Sequence, residues 1–393
     1  MVKDSFIKFV CIFYLFPLSV AFLYELNEPF GPMAFDTFFL AFLIIVIFTC
    51  VTMMFYVIFS KVSFNLTILS AIAGVFCSRT FVITATFLFL IIKVRMVIMY
   101  GFDLRQAGEQ LSSLGGGAFL QEALRPVLLL ASLYRCCKGD DYWICVLIGV
   151  TLGVTATGFF DVFFAAVSIG FPLFLRSLSR GTSLWGYYLL LPVFLVALMS
   201  VGFLNKISSD GILSHFSDGT LFAYVAEYLF YRLNIWSGSF TYYLNNNYLF
   251  SGFNTELINL YFDNFIYRLS QLYPIVEVER PSITNASRLN FLNIFDWDRD
   301  SEPGASPGPL AYFLMLPFPV ISFFLVSGYC GLILRLLSVV VNPINNLISG
   351  RTIIQLVLIP YLLMFILVPF DAFLMIGSSM VALFYLSLIT HLE

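Results

Sequence analysis

The chain has 393 residues, of which 60% are apolar and only 11% are charged, and phenylalanine alone occurs 46 times. A water-soluble protein of this size carries roughly 25% charged residues, so the composition excludes a soluble globular protein. The net charge of −3 provides no basic face, which disfavours a nucleic-acid partner. The sequence therefore predicts an all-α polytopic membrane protein.

Apolar segments long enough to cross a bilayer recur along the whole chain. A hydrocarbon core about 30 Å thick requires roughly 20 apolar residues in a helix. The windows that meet this requirement are 6–24, 38–60, 142–160, 181–205, 309–334, 352–370 and 372–390, with weaker ones at 118–134 and 162–175. Region 62–100 crosses either once or twice, because Arg79 divides its apolar run.

The distribution of basic residues selects between these two alternatives, because cytoplasmic loops are enriched in Lys and Arg. If region 62–100 crosses once, all short basic connections and both termini fall on the cytoplasmic side. These connections contain Lys3, Lys8, Lys61, Arg135, Lys138, Arg176, Arg180, Arg335 and Arg351. We therefore predict about ten transmembrane helices: about seven spans in 1–205, a large periplasmic loop in 206–308 and three spans in 309–393. Lys93 and Arg95 are expected to extend towards the membrane interface.

The stretch 206–302 is the only sizeable polar segment of the sequence. It contains 21 aromatic residues, ten asparagines and 17 charged residues. Apolar residues at helical spacing predict one amphipathic helix over 221–233, capped by Asp218, and a second over 257–269, capped by Asn254. We expect both helices to lie on the membrane surface and cover a cavity, and beyond Pro274 we expect turns at 280–282, 296–300 and 303–308.

Arginines are the first candidates for chemistry on the outer side. A guanidinium group matches phosphate oxygens with two parallel hydrogen bonds, as a lipid-linked pyrophosphate would require. The predicted phosphate contacts are Arg232, Arg280 and Arg288, supported by Arg105 and Arg125. The alternative is that these arginines bind lipid headgroups or pair with the 11 acidic residues of the same outer segment.

A histidine or a carboxylate can act as the general base that takes the proton from an acceptor hydroxyl in a group transfer such as glycosyl transfer. The candidates are His215, Glu227, Glu277 and Glu279, of which His215 and Glu279 are preferred. A solvated loop side chain is the alternative for each of them. The run from Asp296 to Asp300 departs from a calcium loop, because Ser301 and Pro307 stand where glycine and glutamate are required. No metal site is predicted.

Two further pairs of residues are candidates for substrate contact. Glu122 and Arg125 are three residues apart on a predicted span and share one helix face, either as part of the site or as a structural ion pair. Tyr228 and Trp236 offer rings that can stack on sugars, and the same stretch also contains Tyr224, Tyr231, Tyr242 and Tyr243. Aromatic residues are also enriched at membrane interfaces, which is the alternative explanation for both rings.

The architecture resembles that of the Wzy-type O-antigen polymerases, which assemble polysaccharide repeat units in bacterial inner membranes. The shared features are about ten spans, a phenylalanine-rich chain and one large outer loop late in the sequence. Outer-loop patterns of that family place a glycine after an arginine and ten or fifteen further residues. Arg105 with Gly116 fits the shorter spacing, and Arg288 with Gly304 fits the longer one. The stretch 157–161 departs from related polymerases and ligases, because it lacks the arginine that they often carry there.

The resemblance implies a metal-independent, GT-C-like glycosyltransferase that spans the inner membrane several times and has its active site facing the periplasm. Its substrates would be an undecaprenyl-pyrophosphate-linked glycan donor and a lipid-linked acceptor, and no cofactor is expected. Membrane lipids and a chain-length regulator protein are the expected partners. The alternatives are an O-antigen ligase, which transfers glycan to the lipid A core, and a non-enzymatic flippase or transporter of lipid-linked oligosaccharides.

Overall fold

The computed structural model describes residues 2–25, 30–61, 75, 78–100, 124, 127–128, 142–154, 165, 168–170, 221–250, 255–272, 278–279, 281–283, 286–295 and 307–347. Regular structure in these residues is helical, and no strand occurs among them. The chain divides into two compact units. The first comprises Met1–Asn65, Phe230–Asn342 and Gly350–Ser379, and the second comprises Leu66–Leu229, Pro343–Ser349 and Met380–Glu393. The predicted division by topology into 1–205, 206–308 and 309–393 stays a prediction.

The helices of the described residues are, in chain order, α1 (Val2–Val10), a π-helical turn (Cys11–Leu15), α2 (Phe16–Leu23), α3 (Phe35–Ser60), α4 (Arg79–Tyr100), α5 (Tyr142–Val154), α6 (Leu221–Asn245), α7 (Glu256–Leu272), α8 (Ala286–Phe295), α9 (Gly308–Met315) and α10 (Pro319–Leu347). Three stretches in this part of the chain are long and apolar enough to cross a membrane: Phe6–Leu23, Phe35–Ser60 and Pro319–Leu336. The first two confirm helices in the windows 6–24 and 38–60. The total of ten spans stays a prediction.

The first apolar stretch passes through a π-helical turn between α1 and α2. Pro17, near the start of α2, has no N–H group and therefore cannot bond to the carbonyl of Phe13 as an ordinary helix requires. The wider turn over Cys11–Leu15 accommodates this interruption. The Ser19 hydroxyl donates a hydrogen bond of 2.8 Å to the Leu15 carbonyl and so satisfies one of the acceptors near the interruption.

The predicted apolar window 309–334 forms two helices rather than one. The break at Leu316–Phe318 separates α9 from α10, and Phe318 adopts a left-handed φ of 54°. Pro317 and Pro319 explain the break, because each lacks an N–H group and disfavours helical backbone in the preceding residue. The Ser322 hydroxyl stabilises the new helix start by donating a hydrogen bond of 2.6 Å to the Pro317 carbonyl.

Two of the apolar helices, α3 and α10, pack closely through a glycine. A Cβ atom on Gly331 would lie 2.9 Å from the Thr52 carbonyl oxygen and 2.9 Å from the Tyr56 nitrogen, so only glycine fits at this crossing. Nearer the start of both helices, the rings of Phe48 and Phe323 are 5.7 Å apart. Because the residue numbers increase together along both helices, α3 and α10 run parallel. Small residues permit such close contact between membrane helices.

Helix α6 is longer and more buried than the sequence predicts. It continues to Asn245 instead of ending near residue 233, and every residue from 234 to 241 is buried. The expectation of a surface helix concerns residues 221–233 and stays a prediction, whereas the buried continuation from Asn234 onwards was not predicted. The buried ring of Phe30 packs directly against Gly238. A Cβ atom at position 238 would lie 2.6 Å from the Phe30 Cγ, so a larger residue would not leave room for the ring. Helix α6 ends where Asn247 adopts a left-handed φ of 59°, which asparagine tolerates.

The end of α6 is attached to the start of α3. The Asn245 amide nitrogen donates a hydrogen bond of 3.0 Å to the Pro32 carbonyl. The Thr37 hydroxyl in turn donates a hydrogen bond of 2.8 Å to the Asn245 amide oxygen. These two bonds place the end of α6 against the first turn of an apolar helix in the first unit.

Helices α7 and α8 follow in the polar segment 206–302 and contact each other. Helix α7, at Glu256–Leu272, confirms the helix expected over 257–269. Helix α8, at Ala286–Phe295, lies between the turns expected at 280–282 and 296–300, and it was not predicted. Six of the ten residues of α8 are buried, so it lacks the single apolar stripe by which an amphipathic helix is recognised.

In the second unit, α4 and α5 contact each other. Lys93 on α4 is only 1% exposed and its ammonium nitrogen lies 5.8 Å from the centre of the Phe89 ring, so the expectation that it extends to the interface is wrong. Arg95 is exposed, and its position at the membrane interface stays a prediction. Residues 79–100 form one continuous helix. The number of crossings in 62–100 stays a prediction, because residues 62–74 lie outside the described residues.

Candidate functional site

The only predicted phosphate contact whose side chain lies among the described residues is Arg288, on α8. It is 8% exposed, and its guanidinium carbon lies 5.9 Å from the centre of the Phe291 ring, one helical turn further along. A guanidinium group stacks favourably on an aromatic face. The Phe291 ring in turn stacks on that of Phe295 at 4.6 Å. A permanent positive charge is thereby held inside the polar segment 206–302.

Polar side chains join α8 to α6 beside this arginine. The Asn290 amide donates a hydrogen bond of 3.0 Å to the Ser239 hydroxyl, which itself donates to the Ile235 carbonyl at 2.6 Å. The Tyr242 hydroxyl donates to the Asn293 carbonyl, and the Asn293 amide donates to the Tyr243 hydroxyl at 3.4 Å. We call Ser239, Tyr242, Tyr243, Asn290 and Asn293 the amide–hydroxyl cluster.

The tyrosines at the end of α6 form the edge of this cluster. The rings of Tyr242 and Tyr243 are 5.4 Å apart, and Tyr243 contacts Tyr248 at 4.8 Å. Burial raises the pKa of Tyr243 strongly above its usual value. Burial, followed by the charge of nearby Glu256, raises the pKa of Tyr248. Both hydroxyls therefore remain neutral throughout the physiological pH range.

Trp236 lies on α6 and is 8% exposed. Its ring contacts Phe13 at 4.5 Å and Phe9 at 5.7 Å, both from the N-terminal helix, and it also borders Gly308 at the start of α9. Its indole N–H has no hydrogen-bond acceptor within the described part of the chain. The predicted role of Trp236 in sugar contact stays a prediction, since the ring packs among other aromatic residues.

The remaining predicted site residues are placed less completely. Glu279 is exposed, next to Arg280, which lies outside the described residues. Arg232 and Tyr228 both lie on α6, as its backbone shows. His215, Arg105, Arg125 and Glu122 also lie outside the described residues. The structure thus brings Arg288 and Trp236 onto two helices that the Asn290–Ser239 hydrogen bond connects.

Sequence reasoning singled out Tyr242 and Tyr243 as rings that can stack on sugars, but it missed Ser239, Asn290 and Asn293 as candidates. The signal that was available is the density of asparagine and tyrosine in 206–302. Density alone does not select Asn290, because the pairing of Asn290 with Ser239 requires two helices separated by 51 positions in the sequence to meet. No group of three or more His, Cys, Asp or Glu side chains that could hold a metal ion occurs within the described ranges.

No family model, curated protein or solved structure matches this chain.

The raised pKa values of Tyr243 and Tyr248 predict how stability responds to alkaline pH. Below about pH 10 both tyrosines are neutral in the folded and in the unfolded chain. Above that pH the unfolded chain loses these protons first. The free energy of unfolding therefore falls by up to about 1.4 kcal/mol per pH unit for each tyrosine. We expect Tyr243→Phe and Tyr248→Phe each to make this fall less steep. Thermal unfolding in detergent between about pH 9 and 11 measures it. Tyr24→Phe, at a position that is 70% exposed, is the control. Equal slopes in all variants would contradict the assignment.

Proposed function

We propose that this chain polymerises undecaprenyl-pyrophosphate-linked oligosaccharide repeat units on the periplasmic face of the bacterial inner membrane. The observation that carries the proposal is the buried Arg288, held beside a cluster of amides and hydroxyls in a segment that is attached to apolar helices. The positive charge can bind the pyrophosphate, and the amides and hydroxyls can form hydrogen bonds with the glycan. The three apolar helices support a location in a membrane.

Arg288 acts in this proposal on the departing lipid pyrophosphate. Transfer of the glycan breaks the bond between the anomeric carbon and the phosphate oxygen, and negative charge develops on that oxygen. A preorganised cation in a partly dry site stabilises this charge more than water does, because the local dielectric constant is low. The Phe291 ring holds the guanidinium group in place, so that it does not have to reorganise during the reaction. Arg232 and Arg280, with Arg105 and Arg125, are proposed as further phosphate contacts.

The amide–hydroxyl cluster is proposed to border the sugar site. Amide and hydroxyl groups both donate and accept hydrogen bonds and therefore match sugar hydroxyls. Trp236, with an indole N–H that has no acceptor among the described residues, and Tyr228 are proposed for sugar contact. His215 or Glu279 removes the proton from the acceptor hydroxyl, and Glu122 assists Arg125. The exposed position of Glu279 leaves it accessible to an acceptor.

Reconstituted elongation tests the proposal directly. The purified full chain is incorporated into liposomes with a single undecaprenyl-pyrophosphate-linked repeat unit, and the products are separated by size. We expect a ladder of lengthened glycans on the lipid, without any lipid A core. Transfer only after lipid A core is added would indicate the ligase instead. Movement of the unit across the bilayer without lengthening would indicate the flippase, and either result would overturn the proposal.

A further inference from the structure

Helix α7 presents three different surfaces around its circumference. The side that faces the protein consists of Leu257, Leu260, Tyr261 and Asn264, all of them buried. A second side is exposed and apolar, and it consists of Ile258, Phe262, Phe265 and Ile266. A third side is exposed and polar, and it consists of Glu256, Asn259 and Asp263. At 3.6 residues per turn these sets occupy three adjoining sectors, which we call the buried, apolar and polar sectors.

A helix on the surface of a protein in water needs only two sectors, one apolar for the core and one polar for the solvent. The apolar sector of α7 is additional. Phe262 is 63% exposed and Ile258 is 44% exposed, and leaving such surface in water costs roughly 25 cal/mol per Å². The arrangement is favourable when a second apolar medium lies beside the helix and water lies on its third side.

The contacts of α7 place it near the apolar helices of the first unit. The Tyr261 hydroxyl is hydrogen-bonded to the Tyr312 hydroxyl on α9. The neighbouring Phe313 contacts Phe323 on α10 with ring centres 5.2 Å apart. Phe323 in turn lies against Phe48 of α3. The buried sector of α7 is thus connected, through one fully buried short helix, to the beginning of α10 and from there to the middle of α3, and both helices are long enough to span a membrane.

The surface of α10 at this level is also apolar and exposed. Val320 is 67% exposed and Ile321 is 59% exposed, and both follow the break at Leu316–Phe318 directly. Such side chains contact acyl chains when a helix enters the bilayer. Helix α7 is therefore connected, through α9, to the exposed apolar surface of α10, which is suited to contact with lipid.

We propose that α7 lies in the plane of the membrane interface, with its apolar sector in contact with lipid acyl chains and its polar sector in water. The polar sector carries the carboxylates of Glu256 and Asp263, so apolar contact rather than attraction to anionic headgroups holds the helix there. The bilayer, and not a second protein, occupies the apolar sector. This inference does not depend on the proposed polymerase reaction, and it would hold for any activity of the chain.

Photocrosslinking within the full chain tests the inference. One variant carries Phe262→benzoylphenylalanine in the apolar sector, and its matched control carries Asn259→benzoylphenylalanine in the polar sector, on the same helix. Each variant is reconstituted into liposomes of phosphatidylethanolamine and phosphatidylglycerol, irradiated and digested, and the α7 peptide is analysed by mass spectrometry. Both variants must elute from size-exclusion chromatography at the same volume as the unmodified chain, which establishes that each is folded.

We expect a phospholipid adduct at position 262 and no such adduct at position 259. A third variant, Phe265→benzoylphenylalanine, is expected to give the same adduct as position 262. A crosslink from position 262 to a second copy of the chain would overturn the inference, and so would equal lipid adducts at 262 and 259 or their absence at both positions. The elongation assay uses different substrates and products, so failure of the crosslink and failure of the polymerase proposal are distinguishable.

Discussion

Arg288→Ala is expected to lower the rate of glycan lengthening by about a hundredfold or more, the usual effect of removing one preorganised donor from a developing negative charge. The reason is that Arg288 is a permanent cation held at 8% exposure against Phe291. Arg288→Lys keeps the charge but loses the two parallel hydrogen bonds of a guanidinium group, and should retain an intermediate rate. The measurement is the initial rate of elongation in liposomes with lipid-linked repeat units.

Removal of a buried side chain can also affect folding, so two comparisons accompany this prediction. Arg288→Met replaces the charge while filling most of the volume, and its thermal midpoint should stay near that of the parent if packing is preserved. Arg95→Ala removes an exposed arginine from another helix and should leave the elongation rate unchanged. Normal elongation by a folded Arg288→Ala or Arg288→Met chain would show that Arg288 does not bind the leaving group.

Gly331→Ala is expected to destabilise the chain by about 1–3 kcal/mol through overpacking. The added methyl group would lie 2.9 Å from two backbone atoms of α3, at Thr52 and Tyr56. Backbone atoms cannot rotate away as a flexible side chain can, so α3 and α10 would have to separate. The measurement is the thermal unfolding midpoint of the purified chain in detergent.

Gly328→Ala is the matched control for this prediction. It lies on the same helix, and a Cβ atom there would meet only the Phe55 ring, at an ordinary contact distance of 3.8 Å. We expect its midpoint to match that of the parent or to exceed it, because alanine favours helix over glycine. If Gly331→Ala and Gly328→Ala unfolded at the same temperature, the close contact between α3 and α10 would not contribute to stability as described.

Several elements could be predicted from the sequence because their causes are local. The helix 35–60 follows from an apolar run that is long enough to cross a bilayer. The helix at Glu256–Leu272 follows from apolar residues at helical spacing. The division of 309–334 was also present in the sequence as Pro317 and Pro319, but hydropathy alone does not register prolines. Weighting those prolines more strongly would have located the break.

The candidate site depended more on contacts between distant segments. The charge of Arg288 and its candidacy for phosphate contact could be predicted, since guanidinium chemistry is a property of the residue. Its burial beside Phe291 could not be predicted, because α8 has no single apolar stripe and is buried on most sides. Lys93 shows the same limit: its position near the end of an apolar run suggested a lipid-facing anchor, yet it is 1% exposed.

The sequence by itself determined that this chain is helical and apolar, because the composition leaves too few charged residues to cover a water-exposed surface. It also determined the residue types available for chemistry in the polar segment 206–302. Only the tertiary structure decided that Asn290 meets Ser239, that Gly331 is the crossing point of α3 and α10, and that α7 has three surfaces. The physical reason is that burial and hydrogen bonding across distant positions depend on which helices pack together, and local periodicity does not encode that choice.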